Sequence, residues 1–227
     1  MAAKNIPNHI AIIPDGNRRW AKMRNLPTFE GHRRGFNLGN KIAKKVRSLG
    51  INTLTFWLFS TENWNRSKEE ISYLMKLYEI FIDKSLKEAL KEQVRVIHLG
   101  RKERIPKSLL KKIEDIEQKT KNFSRFYQNI ALDYGGQDEI LRAAKNLKGK
   151  NATAENFNEL LDTKDQPFPN PDLVIRTGGE QRISGFMLWQ VAYSEFIFLD
   201  KYFPDFKESD IDLAVLEYSK RQRRFGR

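Results

Sequence analysis

Short apolar runs rich in β-branched and aromatic residues alternate with helical periodicities along this chain, and four of the runs end in loops crowded with Gly, Asp, Arg and amide side chains. His9–Ile13 is followed by Pro14-Asp15-Gly16 and then by a segment carrying Trp20 and Met23, which reads as buried strand, turn and helix. Leu38, Ile42, Val46 and Leu49 recur at helical spacing, Gly50 is a stop, and 51–59 is strand-like. Ser67 with Glu70 three residues on forms a capping-box signature. It opens a long helix whose apolar face is Ile71, Leu74, Tyr78, Phe81, Ile82, Ala89 and Leu90. Strands at 94–99, 127–132, 173–175 and 195–199 and helices at 109–121, 138–147, 153–161 and 208–224 continue the alternation. This pattern predicts an α/β fold with a mostly parallel central sheet flanked by helices. The stretch 148–151 is the one linker-like segment and there is no internal repeat, so a single domain over 1–227 is expected.

In open sheets of this kind, ligands collect outside the carboxyl ends of the strands. The loops there are Asp15-Gly16-Asn17-Arg18-Arg19, Ser60-Thr61-Glu62-Asn63-Trp64-Asn65-Arg66, Asp133-Tyr134-Gly135-Gly136, and Arg176 to Arg182. Gly16 lets backbone approach a ligand, the amides opening the next helix favour an anion, and Arg18 and Arg19 add phosphate donors. Asp15 would repel a phosphate unless Mg²⁺ bridged the two, so it reads as a metal ligand. For one isolated turn, a helix-capping Asp with solvated arginines is the simpler reading; four such loops together favour a ligand. Arg176 and Arg182 flank Gly178-Gly179 with Ser184 beyond, either a second phosphate site or a glycine-rich surface turn. Glu195 opens an apolar strand, where a carboxylate needs a metal or a cationic partner. His9 and His98 read as structural, whereas His32 in Gly31-His32-Arg33-Arg34 is a substrate candidate.

A formal charge of +12 selects an acidic partner: nucleic acid, an anionic membrane or a phosphorylated small molecule. The arginines sit in loops beside Gly and acidic residues rather than along an aromatic-interleaved stripe, so no nucleic-acid partner is expected. With no cysteine, any metal takes oxygen or imidazole ligands. No apolar run is long enough to span a bilayer, so a cytoplasmic protein is expected, peripheral at most at the inner membrane face. Neither a Walker loop nor a Gly-x-Gly-x-x-Gly turn is present, which removes the usual ATPase and dinucleotide signatures.

His9 to Ala21 resembles the first signature of the cis-prenyltransferase family, which includes undecaprenyl diphosphate synthase. Gly31-His32, Phe59 to Arg66, Tyr134-Gly135-Gly136, Asp172 to Glu180 with Arg182-Ile183-Ser184, and Leu188 through Glu195 resemble its other signatures in order. The resemblance implies a homodimeric fold with an apolar tunnel, lined partly by the helix after Ser67. It also implies Mg²⁺-dependent condensation of isopentenyl diphosphate with an allylic diphosphate, farnesyl or geranyl, to a cis-polyprenyl diphosphate, as in synthesis of a cell-wall lipid carrier. By the same resemblance Asp15 and Glu195 hold Mg²⁺, with Asp15 and Asn63 catalytic. Gly16, Asn17, Arg18 and Arg19 surround the allylic diphosphate, Trp20, His32, Ser60, Thr61, Glu62, Trp64 and Arg66 join them in binding substrate, Asn63 and Trp64 organise the loop over the reacting ends, and Arg66 helps assemble the diphosphate sites. Arg176, Arg182 and Ser184 grip isopentenyl diphosphate, and Arg224 and Gly226 belong to a C-terminal element that reaches a partner's site.

Thr28 and Gln137 stand where the family commonly has Arg, so Arg24, Arg33 or Arg34 is expected to replace the contact missing at 28. Leu58, where long-chain members often have a small residue, implies a product of short to medium length. The alternative is a catalytically silent partner subunit of the same fold, a class that tends to lose the acidic residue Asp15 retained here.

Overall fold

A computed structural model describes residues 5–147, 149 and 151–221. Six strands, β1 (His9–Ile13), β2 (Thr53–Ser60), β3 (Val94–Leu99), β4 (Phe126–Tyr134), β5 (Leu173–Arg176) and β6 (Glu195–Phe198), form one sheet in the order β3-β4-β2-β1-β5-β6. Every pairing is parallel. A parallel sheet needs cover on both faces, which is why β1 is buried throughout and β4 nearly so. Ile10 and Ile12 point into one core cluster and Ala11 and Ile13 into another, the period-two alternation of a strand.

Among the described residues seven helices flank the sheet: α1 (Asn17–Met23), α2 (Thr28–Ser48), α3 (Lys68–Glu92), α4 (Lys107–Thr120), α5 (Gly136–Asn146), α6 (Ala154–Asn158) and α7 (Glu208–Lys220). The Ser67 hydroxyl accepts the Glu70 N–H at 3.2 Å and starts α3 where the capping box placed it. Leu90, expected on the buried face of α3, is exposed, while Ala89 beside it is buried. The expected helix over 153–161 contracts to α6, with Thr153 as its cap. The final helix ends at Lys220, where Arg221 has extended backbone, and the rest of the expected stretch to 224 lies outside the described residues.

Strands β2 and β4 slip in register near their carboxyl ends. Trp57 pairs with Ala131, Phe59 with Leu132 and Ser60 with Tyr134, so Leu58 is an extra residue on β2 and Asp133 an extra residue on β4. Trp57 therefore stacks on Phe186 across one face, while Leu58 and Phe59 both serve the side covered by α2 and α3.

Candidate active site

Asp15 follows β1, and its place is set by β5. The Asp15 N–H donates to Thr177 Oγ1 at 2.9 Å while the Thr177 hydroxyl donates back to the Asp15 carbonyl at 2.8 Å. Asp15 Oδ1 accepts the Gly16 N–H at 2.6 Å, and Oδ2 accepts from Arg176 Nη2 at 2.9 Å. Arg19 adds a contact of 3.3 Å to the same oxygen and reaches Glu180 at 3.1 Å; Glu180 in turn holds Arg182. Arg176 is buried, and it also donates to the Ser184 hydroxyl at 3.0 Å and to the Arg182 carbonyl. The two phosphate-site candidates of the sequence are thus one ion-paired cluster.

Gly31 allows α2 to cross this close: a Cβ there would sit 2.0 Å from the Asn17 carbonyl oxygen, and one on Gly35 would sit 2.7 Å from Asn17 Oδ1. That Asn17 Oδ1 is buried without a partner, while Nδ2 donates to the Pro14 carbonyl. Glu70 of α3 gathers Arg66 at 3.0 Å, His32 at 3.5 Å and Arg18 at 3.9 Å. Burial and then the Arg66 charge push the His32 pKa down to about 4, so the ring is neutral near pH 7 and offers hydrogen bonds rather than charge.

Two cavities meet at this cluster. One, of about 260 Å³, has Asp15, Asn17, Arg66 and Arg176 at its polar end and Phe36, Phe56, Leu58, Phe59, Tyr78 and Phe81 along its wall. The other, a cleft of about 670 Å³, is edged by Arg18, Arg19, Lys22 and Arg66 around Asp15. A cationic rim opening on an apolar chamber suits a ligand with an anionic head and a hydrocarbon tail. A family profile described as a putative undecaprenyl diphosphate synthase matches residues 13–226.

The chain belongs to this prenyltransferase family. Isoprenyl transferases of Thermotoga maritima and Fusobacterium nucleatum are 48% and 47% identical to it, with 97–98% of this chain and 97% of each relative covered. Lavandulyl diphosphate synthase from Lavandula x intermedia, solved in complex with dimethylallyl diphosphate, superposes with a TM-score of 0.94 at 38% identity, covering 98% of this chain and 99% of that one. A probable undecaprenyl diphosphate synthase from Campylobacter jejuni gives 0.83 at 32%, covering 98% and 100%. The chain is accordingly a cis-prenyltransferase of the isoprenyl transferase type.

Within this cis-prenyltransferase, Asp15, Gly16, Asn17, Arg18, Arg19, His32, Ser60, Asn63, Arg66, Arg176 and Ser184 line one or both cavities. Other expected residues do not. Trp20 is buried under the guanidinium groups of Arg24 and Arg34, whose centres lie 4.4 and 5.2 Å from its ring. Thr61 and Glu62 face a separate cleft of about 500 Å³. Trp64 points away from both cavities to Asp133. Arg182 is exposed and paired with Glu180, and Arg224 and Gly226 lie outside the described residues.

Glu195 stands apart from Asp15 within one chain. It pairs in register with Leu173, which pairs with Ile10, so it stands near the amino ends of the strands while Asp15 lies beyond their carboxyl ends. Five residues of chain separate the two levels, roughly 16 Å at about 3.3 Å per residue, so one chain does not bring both carboxylates to one ion. The cationic partner expected for Glu195 is Arg221 Nη1, at 2.8 Å. Among the described residues no three His, Asp or Glu side chains gather as a metal cage. Asp15 alone still fits Mg²⁺, which takes one or two carboxylates and completes its octahedron from substrate phosphate oxygens and water; its carboxylate is 31% exposed and opens on both cavities.

The arginines expected to stand in at Thr28 have other partners. Arg24 pairs with Asp205, Arg33 with Glu30, and Arg34 donates to the Pro204 carbonyl, so Lys22, which lines the cleft beside Thr28, is the basic residue at that place. Glu70 is legible in the sequence as a helix-capping residue but not as the carboxylate that gathers Arg66 and His32, and the wall residues Phe36, Phe56 and Phe203 belong to no functional motif. Phe36 lies four residues past His32 on a helix, a spacing that could have flagged it; Phe203 follows the last strand and has no local signal.

Proposed function

We propose that this prenyltransferase condenses isopentenyl diphosphate with an allylic diphosphate, farnesyl or geranyl, to give a cis-polyprenyl diphosphate of the kind that serves as a lipid carrier. The observation that carries this reading is the junction of a cationic cleft with an apolar chamber at Asp15 and Arg176. Arg18, Arg19 and Lys22 hold the allylic diphosphate in the cleft, and its hydrocarbon tail enters the chamber, the mouth of the expected tunnel, between α2 and α3. Arg176 and Ser184 orient the homoallylic diphosphate so that its alkene faces the allylic carbon. The new carbon–carbon bond forms as the allylic carbon–oxygen bond breaks, and loss of a proton leaves the cis double bond. Arg19 and Arg66 stabilise the charge developing on the departing diphosphate. Asp15 would hold Mg²⁺, which when bound neutralises further charge on that diphosphate. Neutral His32, which lines both cavities, offers a ring N–H for one hydrogen bond.

A homodimer supports this chemistry, since Glu195 can join an ion at Asp15 only from a second copy. Exposed Leu141, Trp189, Tyr193 and Phe198 provide apolar surface for such a partner. Among the described residues no helix is long and apolar enough to cross a membrane, and we place the enzyme in the cytoplasm with transient contact at the membrane surface where product leaves. Incubation with farnesyl or geranyl diphosphate and labelled isopentenyl diphosphate, with and without Mg²⁺, tests the reading. Metal-dependent formation of cis-prenyl products is the expected result, and no incorporation with any allylic starter refutes it.

A further inference from the structure

The extra residue on β4, Asp133, is fully buried at a backbone φ of +54° and has no opposite number on β2. A carboxylate in such a place needs partners, and it has two kinds. Arg104, from the loop between β3 and α4, grips it with both Nε, at 2.9 Å from Oδ2, and Nη2. The Trp64 indole N–H donates to Oδ1 at 2.8 Å, and the Arg104 guanidinium lies 5.3 Å from the centre of the Trp64 ring. That ring also packs edge-on against Phe59, with 5.2 Å between the ring centres. Backbone holds Asp133 in turn: its carbonyl accepts the Arg101 N–H at 3.0 Å, and a Cβ on Gly100 would lie 2.6 Å from that oxygen.

Trp64 thus lines neither substrate cavity, yet it sits between Asn63 and Arg66, which do. Asn63 is itself tied to the start of the turn, its Oδ1 accepting the Ser60 N–H at 3.2 Å. We infer that Asp133 and Arg104 are positioning residues for prenyl transfer: they clamp Trp64 from behind and so hold Asn63 and Arg66 at the junction of the two cavities. The inference rests on the proposed reaction. A displacement of about 1 Å at such a turn is enough to cost on the order of 10²-fold in rate. The hydrogen bonds that fix Asp15 run to Gly16, Arg176 and Thr177 rather than to the clamp, so binding of the allylic diphosphate is separable from it.

The test measures kcat, both KM values and melting temperature for Trp64→Phe, Asp133→Asn, Arg104→Gln and two double variants. In the singles kcat should fall about 10- to 100-fold, with KM for the allylic diphosphate within about threefold of the parent. Trp64→Phe combined with Asp133→Asn should be no slower than the slower single, because both break one contact. Arg104→Gln alone strands a buried carboxylate and should melt early; adding Asp133→Asn removes that charge and should restore the melting temperature while kcat stays low. A kcat within about twofold of the parent in Trp64→Phe and Asp133→Asn overturns the inference, as does recovery of kcat together with melting temperature in the Asp133→Asn, Arg104→Gln protein. Lack of product from the unmodified enzyme would instead overturn the proposed reaction.

Discussion

Arg176 Nη2 donates to Asp15 Oδ2 across 2.9 Å, joining residues 161 positions apart in the chain. Because β5 lies beside β1, the carboxylate proposed to hold the metal on the leaving diphosphate and the guanidinium proposed to orient the attacking one share a single hydrogen bond.

Asp15→Ala should reduce incorporation of labelled isopentenyl diphosphate by about 10³-fold, the scale on which electrostatic stabilisation of a leaving group acts. Circular dichroism should show the fold retained, with a lowered melting temperature because buried Arg176 loses an acceptor. Asp15→Asn keeps an oxygen for Arg176 and should melt closer to the parent while remaining as slow. An active Asp15→Ala enzyme would mean that the metal is held elsewhere.

Gly31→Ala places a methyl group 2.0 Å from the Asn17 carbonyl oxygen, a backbone atom that cannot rotate aside. Overpacking of this sort costs about 1–3 kcal/mol, and relief requires α2 to move off the Asp15 loop. Denaturant titration should show the destabilisation, and kinetics a raised KM for the allylic substrate; parental values for both would show that the helix crossing tolerates the methyl.

Leu58→Ala should lengthen the products. The side chain lines the apolar chamber because the β2 bulge turns it to the α2–α3 side, and its removal extends the space for the tail. Chromatography of the dephosphorylated products reads the distribution, and an unchanged pattern would discard Leu58 as a length determinant.

Acid should destabilise the protein through its buried histidines. Burial holds His9 at a pKa of about 4, with its ring between the Phe168 carbonyl and Thr55 Oγ1, and His32 is likewise depressed to about 4. Unfolded, each titrates near 6.5, so between about pH 6.5 and 4 the unfolded chain binds more protons and stability falls as pH falls. The loss is on the order of 2 kcal/mol per ring by pH 5. Thermal melts from pH 7.5 to 5 in His9→Gln and the parent check this: the variant should have the flatter profile, and equal slopes would exclude His9 as a contributor.

Sequence alone determined the alternation of strands and helices, the start of α3 at Ser67, the cationic loops at strand ends and the family resemblance. These are short-range properties: side-chain period, capping chemistry and glycine placement act over a few residues and so can be read locally. Sheet order and register belong to the tertiary structure alone. They joined Asp15 to Arg176, placed Glu195 at the opposite end of the strands, and turned Trp64 and Glu62 away from the substrate cavities. They also made Asp133, which the sequence presents as one more loop carboxylate, the buried anchor of Trp64. The physical reason is that one extra residue in a strand reverses the face of every side chain after it, and no local preference of Leu58 or Asp133 encodes that slip.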